Sequence, residues 1–309
     1  MLTRKTTLLL KVESVPGTFQ SDIAAADGML AYEPAGSPDI SMFKRDPYRA
    51  HISRLKSLSG TRAASITFKV EIKGSGTAGT APDWAPALIA CGFAETLVAL
   101  TSATYKPTSG NGLLAPCSIE IYEDGGLKQF AGCMGSVKLV GAVGEPMFLE
   151  FTFRGKIYAI TADTLITPTV DSTVPPVLLN AAFATNLGGS ESHIISSFEI
   201  DMQNEVNLRP SVNDEVGYDY AQIVGRNPVG SMDPEYSTTY DWLAKITEDT
   251  EGTLTLTLGS VSGNIITTTA PKLRFLGMDP ADRGGIRTLT VPFELNASSG
   301  NDEISIVLS

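Results

Sequence analysis

Apolar side chains recur at every second position through much of this 309-residue chain. In Ile66-Thr67-Phe68-Lys69-Val70-Glu71-Ile72-Lys73, Ile66, Phe68, Val70 and Ile72 share one face, and Thr67, Lys69, Glu71 and Lys73 share the other. A period of two with one apolar and one polar face is the pattern of a strand buried on one side. The same alternation predicts strands at about 6–13, 118–123, 136–140, 147–154, 196–202, 253–258, 272–276, 287–295 and 303–308. Glycine-bearing turns, such as Asp124-Gly125-Gly126 and Ser262-Gly263-Asn264, separate many of them. So many short strands with so few helical patterns predict a mainly β, largely antiparallel fold.

Two short helices interrupt the alternation. The first is expected to open at Pro82, a residue suited to the first helical turn, and to carry Trp84, Leu88, Ile89 and Cys91 before Gly92 ends it. The second is expected to begin near Ser237-Thr238, either of which suits a cap, with Asp241 in the first turn and Trp242, Leu243 and Ile246 following. The chain's two tryptophans each follow an aspartate, in Asp83-Trp84 and Asp241-Trp242. Each helix is preceded by a strand and turn and followed by three alternating strands, at an offset of about 136–141 residues. We read this as a duplication, with Trp84 and Trp242 as matching core residues; two unrelated β domains sharing a common pattern are the alternative.

The segment Thr164–Asn180 carries Pro168, Pro175 and Pro176, which remove ladder donors and favour extended backbone. The expected organisation is a first β domain over residues 1–165, a Pro-rich linker over 166–180 and a second β domain over 181–309. Residues 14–49 hold seven glycines and prolines and few strand signals, so they are expected to form a long loop, a feature usually tied to function.

Composition narrows the chemistry. The chain has 42 % hydrophobic and 18 % charged residues, which is a folding composition. Its net charge of -11 disfavours a protein that binds nucleic acid through phosphate contacts. No apolar run approaches the roughly 20 residues that span a bilayer, and the leucines after Lys5 are too few for a signal-peptide core. Synthesis in a cytosolic compartment is therefore expected. Cys91, Cys117, Cys133, His51 and His193 lack metal-ligand spacing, so the cysteines are expected to be buried free thiols, with no metal, no cofactor and no enzymatic constellation.

Gly74-Ser75-Gly76-Thr77-Ala78-Gly79 matches G-x-G-x-x-G, but the strand before it carries Lys69, Glu71 and Lys73 on its second face. A dinucleotide-binding strand is apolar on both faces, so the match carries no nucleotide site. Lys44, Arg45, Arg49, Arg54, Lys56 and Arg62 stand against one acid, Asp46, with no series of stacking aromatics. The stretch is either a solvated loop or a contact to an acidic surface on a neighbouring copy. Acid clusters at Glu199-Ile200-Asp201, Asp214-Glu215 and Glu248–Glu251 match no calcium loop.

The first half resembles the major tail tube proteins of long, non-contractile phage tails (siphophages), relatives of the tube protein of type VI secretion. The segments that carry the resemblance are Lys5–Glu13, Ile66–Ile72 leading into Lys73–Pro82, Leu88–Phe93, Tyr105–Ser109, Ile121–Gly125 and Gly132–Val137. The second half matches only through its Asp-Trp helix and three strands. The resemblance implies a β-barrel or sandwich packed on one short helix in each half, hence two tandem tube-like domains. It implies a structural virion protein, made in the host bacterial cytoplasm, that assembles with itself as stacked rings into a hollow tail tube. A pseudo-hexameric trimer is favoured over six chains per ring. The implied partners are the tape measure, tail terminator and distal tail proteins, with DNA passing unbound during ejection.

An acidic lumen would repel phosphate, and Glu120, Glu150, Glu199 and Asp201 are the candidate lumen-facing acids. Candidate subunit or ring contacts are Lys44, Arg45, Arg49 and Arg54 with Gly74, Gly76 and Gly79. A single-ring tail-end or baseplate hub protein of the same fold is the alternative. An adhesin or carbohydrate-binding β-sandwich is the alternative of another class. Residues 1–155 carry 15 basic and 14 acidic side chains, and residues 156–309 carry 8 and 20, so the acidic excess belongs to the second half. That contrast suggests unlike halves alternating around a ring, the basic stretch meeting acidic neighbours.

Overall fold

A computed structural model describes residues 2–110, 114–187, 190–191 and 193–309. Its strands in the first half are β1 (Thr7–Val12), β2 (Gly28–Met29), β3 (Ala31–Phe43), β4 (Leu58–Glu71), β5 (Phe93–Val98), β6 (Ser102–Pro107), β7 (Cys117–Glu123), β8 (Gly126–Ala142) and β9 (Phe148–Thr161). Those in the second are β10 (Ala182–Asn186), β11 (Ser190–Glu191), β12 (Ser197–Asp201), β13 (Glu205–Pro210), β14 (Tyr218–Gly225), β15 (Val229–Met232), β16 (Gly252–Leu258), β17 (Ile266–Phe275), β18 (Asp279–Arg283), β19 (Ile286–Asn296) and β20 (Ser305–Leu308). The helices are α1 (Ala85–Ala90) and α2 (Trp242–Thr247). The protein is mainly β, with every strand pairing antiparallel.

In the first half the strands pair in the order β3-β4-β9-β8-β7-β1. In the second they pair in the order β12-β15-β19-β17-β16-β10. The ladders even slip at corresponding places. Between Cys117↔Cys133 and Ile119↔Phe130, β8 carries one extra residue, and between Gly252↔Leu273 and Leu254↔Ala270, β17 does the same. Helix α1 follows β4 as α2 follows β15.

Alternation puts Ile66, Phe68, Val70, Leu149, Phe151 and Phe153 inside one end of the core, and Phe275, Val291, Phe293 and Leu295 inside the other, where Trp242 joins them from α2. Trp84 is buried where α1 begins and donates from Nε1 to the Lys73 carbonyl at 3.0 Å. Trp242 stands 5.3 Å from the Phe275 ring. Burial of such large side chains supplies the main driving force at both ends.

The halves are joined by main-chain pairing. The last part of β8 pairs with β12 from Ala142↔Ser197 to Lys138↔Asp201, and β20 pairs with β6. Residues 162–176 hold no helix or strand, yet the chain there is pinned, by Thr169 N–H to the Ala25 carbonyl at 2.8 Å and by Lys73 Nζ to the Asp171 carbonyl at 2.5 Å.

Three sequence expectations are corrected. Residues 14–49 are not one long loop, because they contain β2 and the 13-residue β3. Pro34 and Pro38 sit within β3, and a strand bonded only to β4 tolerates them. A register shift between Tyr32 and Ala35 absorbs the positive φ of Glu33. The first helix is shorter than expected, starting at Ala85 with Pro82–Trp84 in the turn before it. The second is capped by Asp241, whose Oδ1 accepts from Ala244 N–H at 3.0 Å, rather than by Ser237 or Thr238.

The Gly74 turn also lies elsewhere than expected. Gly74 N–H donates to Asn264 Oδ1 at 2.8 Å, and Gly76 N–H to the Gly263 carbonyl at 3.2 Å, so the turn locks against the second half of its own chain. A Cβ on Gly74 would stand 1.9 Å from the Gly263 carbonyl oxygen. Gly74→Ala should therefore destabilise the chain by about 3 kcal/mol in urea unfolding, through backbone that cannot yield. At Gly144, where φ is positive but nothing stands within 4 Å of a Cβ, alanine should cost only about 1 kcal/mol. Equal losses would show that the Gly74–Gly263 approach is not tight.

Candidate functional site

One sheet runs through both halves in the order β3-β4-β9-β8-β12-β15-β19-β17, eight strands side by side. Its inner face is the core. Its outer face is polar because the alternate residues are Thr67, Lys69, Glu150, Thr152, Lys138, Glu199, Asp201, Ser231, Glu294 and Arg274. Successive register partners set Lys69, Glu150, Lys138 and Asp201 in one row across four strands.

Charges of opposite sign meet along this face. Lys69 Nζ lies 2.9 Å from Glu150 Oε1, and Lys138 Nζ lies 2.5 Å from Glu199 Oε2. Further along, Lys272 Nζ lies 2.9 Å from Glu251 Oε2, and Arg274 reaches Asp249 and, at 3.7 Å, Glu294. The hydrogen bonds to Glu150 and Glu199 hold the Lys69 and Lys138 ammonium groups above the ordinary lysine value. Each such half-exposed pair stabilises by no more than about 1 kcal/mol, so its importance is in the surface it presents.

The four candidate acids thus divide. Glu150, Glu199 and Asp201 share the polar face, and two of them are paired with lysines. Glu120 is corrected: it lies on β7, away from this face, is 5 % exposed and accepts from Gln129 Nε2 at 2.7 Å. Beside it, burial and the Glu120 charge push the Tyr122 phenol up to about 12. The lysine partners were visible as polar positions in the sequence, but their pairing depends on strand register, which alternation alone does not give.

Lys44, Arg45, Arg49 and Arg54 are all exposed, on the connection between β3 and β4. Arg49 bonds locally to the Ser53 carbonyl. Tyr48 and Ile52 beside them are fully exposed, and Ile40, Met42, Phe43 and Leu58 are exposed at the neck. Gly74, Gly76 and Gly79, expected at subunit contacts, are engaged within the chain. A Cβ on Gly76 would stand 2.8 Å from Thr173 Oγ1, and one on Gly79 2.3 Å from the Val98 carbonyl oxygen.

A buried carboxylate missed in the sequence reading ties several segments together. Glu13, 5 % exposed, accepts from Gly17 N–H at 2.7 Å, Ser118 Oγ at 2.8 Å and Gly132 N–H at 2.7 Å. Gly132, at φ +60°, is part of the β8 bulge. Desolvation raises the Glu13 pKa, opposed by these three hydrogen bonds. The free thiols of Cys91, Cys117 and Cys133 are buried, and burial pushes all three well up. Among the described residues no group of three His, Cys, Asp or Glu side chains is placed to hold a metal ion, and no helix is long and apolar enough to cross a membrane.

A long antiparallel sheet with one buried and one charge-interleaved face, two short helices packed on its apolar side and an exposed arm between β3 and β4 define a structural β-sandwich protein. A family model described as phage tail tube protein matches residues 3–297, and the chain belongs to that family. No curated protein matches it. It is therefore a structural component of a phage tail.

Glu13→Ala should cost about 3 kcal/mol or more in urea unfolding, because three donors lose their buried acceptor. Glu13→Gln should lose less, since one carbonyl oxygen remains to accept. If the two variants unfold alike and close to the unmodified protein, the carboxylate is not the tie described.

Proposed function

We propose that the chain polymerises as stacked rings into the tail tube, three chains to a ring, with the shared polar face turned to the lumen. The observation that carries this reading is the single eight-stranded sheet crossing both halves. Its last strands, β3 and the end of β17 beyond the Gly252↔Leu273 pair, where β16 stops, run in opposite directions, because seven antiparallel pairings separate them. Copies can therefore join edge to edge with every neighbouring pair still antiparallel, leaving no open edge around the ring. Three copies close a barrel of about 24 strands, wider than barrels of about 16–18 strands that already hold an aqueous channel.

The matching strand orders and matching bulges support the reading of residues 1–165 and 181–309 as duplicated tube domains on either side of the 166–180 connector, which makes the trimer pseudo-sixfold. The polar face supports passage of DNA without capture. Lys69 and Lys138 are bridged to Glu150 and Glu199, so they offer phosphate little gain, while Asp201 adds repulsion. The lumen is thus better described as neutralised and mildly acidic than as an acid wall. The tape measure, terminator and distal tail proteins are the partners that the family role implies.

Cryo-electron microscopy of the purified protein should show stacked rings with a central channel and three chains each. Six chains per ring would overturn the duplicated-domain trimer, and single rings that never stack would favour a tail-end hub. Tubes carrying Glu150→Gln and Glu199→Gln should retain short duplex DNA that unmodified tubes exclude, in a co-sedimentation assay at low salt. Equal exclusion by both would remove the charge pairs from the account of DNA passage.

A further inference from the structure

In both halves a pair of neighbouring strands is joined by an excursion of the same length. Matched on the equivalent pairs Ile66↔Phe153 and Gly230↔Phe293, Gly36 faces Ile66 in the first half as Ile200 faces Gly230 in the second, with 29 residues between the paired positions in each case. The two excursions are therefore equivalent arms, spanning 41–61 in the first half and 205–225 in the second. Their surroundings differ.

The second arm, the β13–β14 hairpin, lies on the first half of its own chain. Asp214 near its tip meets Lys156 at 2.6 Å, and Arg62 N–H donates to the Val216 carbonyl at 3.0 Å. Asn204 at its base donates to the Cys91 and Gly135 carbonyls at 2.8 and 2.9 Å. Tyr220 closes over Gly132, where a Cβ would stand 2.8 Å from the Tyr220 Cβ. The first arm covers nothing comparable: Met42, Phe43, Tyr48, Ile52 and Leu58 all remain exposed.

The arms also carry opposite charge. Residues 41–61 hold five basic side chains and one acid, net +4, whereas residues 205–225 hold four acids and one base, net -3. The acidic arm rests on the half whose formal charge is +1, and the other half carries -12. The parts of the second half equivalent to the acidic arm's seat are the bulge of β17 and the end of β19. There Asp249, Glu251 and Glu294 surround Lys272 and Arg274, and Asp249 is largely exposed.

We infer that the 41–61 arm binds in trans as the 205–225 arm binds in cis: it packs on the second half of the next chain in the ring, its basic side chains meeting Asp249, Glu251 and Glu294. The inference rests on the ring assembly proposed above. Covering the exposed apolar residues supplies affinity, and the swapped charge supplies selectivity. A basic arm on the first half's Lys156 surface, or an acidic arm on the Asp249 surface, is penalised by like charge. Each arm thereby has one seat.

Zero-length coupling of amines to carboxylates tests this on the full chain, in assemblies made from equal parts of light and nitrogen-15-labelled protein. Mixed-isotope products should join Lys44 or Lys56 to Asp249 or Glu251. The triple variant Arg45→Glu, Arg49→Glu, Arg54→Glu should keep its far-ultraviolet circular dichroism, because the arm is exposed, and should lower the assembled fraction by at least about tenfold. Adding Asp249→Arg and Glu251→Arg to that triple variant should restore assembly. Rings in which the arm couples to another surface, or in which the triple variant assembles normally, overturn the inference and leave the ring reading standing. A protein that stays monomeric throughout overturns both.

Discussion

The pairing of β8 with β12 is the constraint on which the rest of the structure depends. A strand edge is a row of unsatisfied donors and acceptors, and an isolated half of this chain would expose one at the end of β8. The chain meets that demand with a strand from its other half, so two similar sheets become one. From that junction follow the eight-strand face, the cis seat of the β13–β14 arm and the contact of the Gly74 turn with Gly263. The connector is held at several points because it runs between two bodies already fixed by backbone hydrogen bonds.

The junction also governs the electrostatics. Lys138 meets Glu199 across it and borders Glu150 on the other side, so the charge pairs on the outer face are products of register. Had β12 paired one residue out of step, Phe198 and Ile200 would turn to solvent and the acids into the core, at prohibitive cost. The buried aromatic rows beneath, with Phe151 and Phe153 at one end and Phe275 and Phe293 at the other, fix that register. Surface pairing is thus set from inside.

Much of this was legible from alternation. The cores of β1, β4, β7, β9, β12, β16 and β19 show in the sequence because one face is wet and the other is not. β3 was hidden, since its prolines, glycine and exposed side chains read as loop, and only its position beside β4 makes it a strand. The β13–β14 hairpin gave little signal because it packs on its own chain through Asn204, Asp214 and glycine contacts rather than through an apolar stripe. Glu120 misled for the opposite reason: a charged residue in an alternating strand reads as solvent-facing, and its burial depends on Gln129, a partner nine residues away. Asp241 displaced Ser237 and Thr238 as cap because its carboxylate reaches the Ala244 N–H, which several residues with the right chemistry could have claimed on paper.

Covalent continuity between β8 and β12 has a kinetic meaning as well. Two strands on one chain meet at an effective concentration near the millimolar range whatever the protein concentration, whereas edges on separate chains meet only as often as dilution permits. In the ring proposed above, one junction of each kind alternates around a closed circuit. The first is complete when the polypeptide folds, and the second waits for crowding by other copies. In that ring a subunit would carry half of the seams already sewn, so the order of the assembly reaction in protein would fall by half compared with separate halves. Nucleation would be correspondingly less sensitive to the concentration of free subunits.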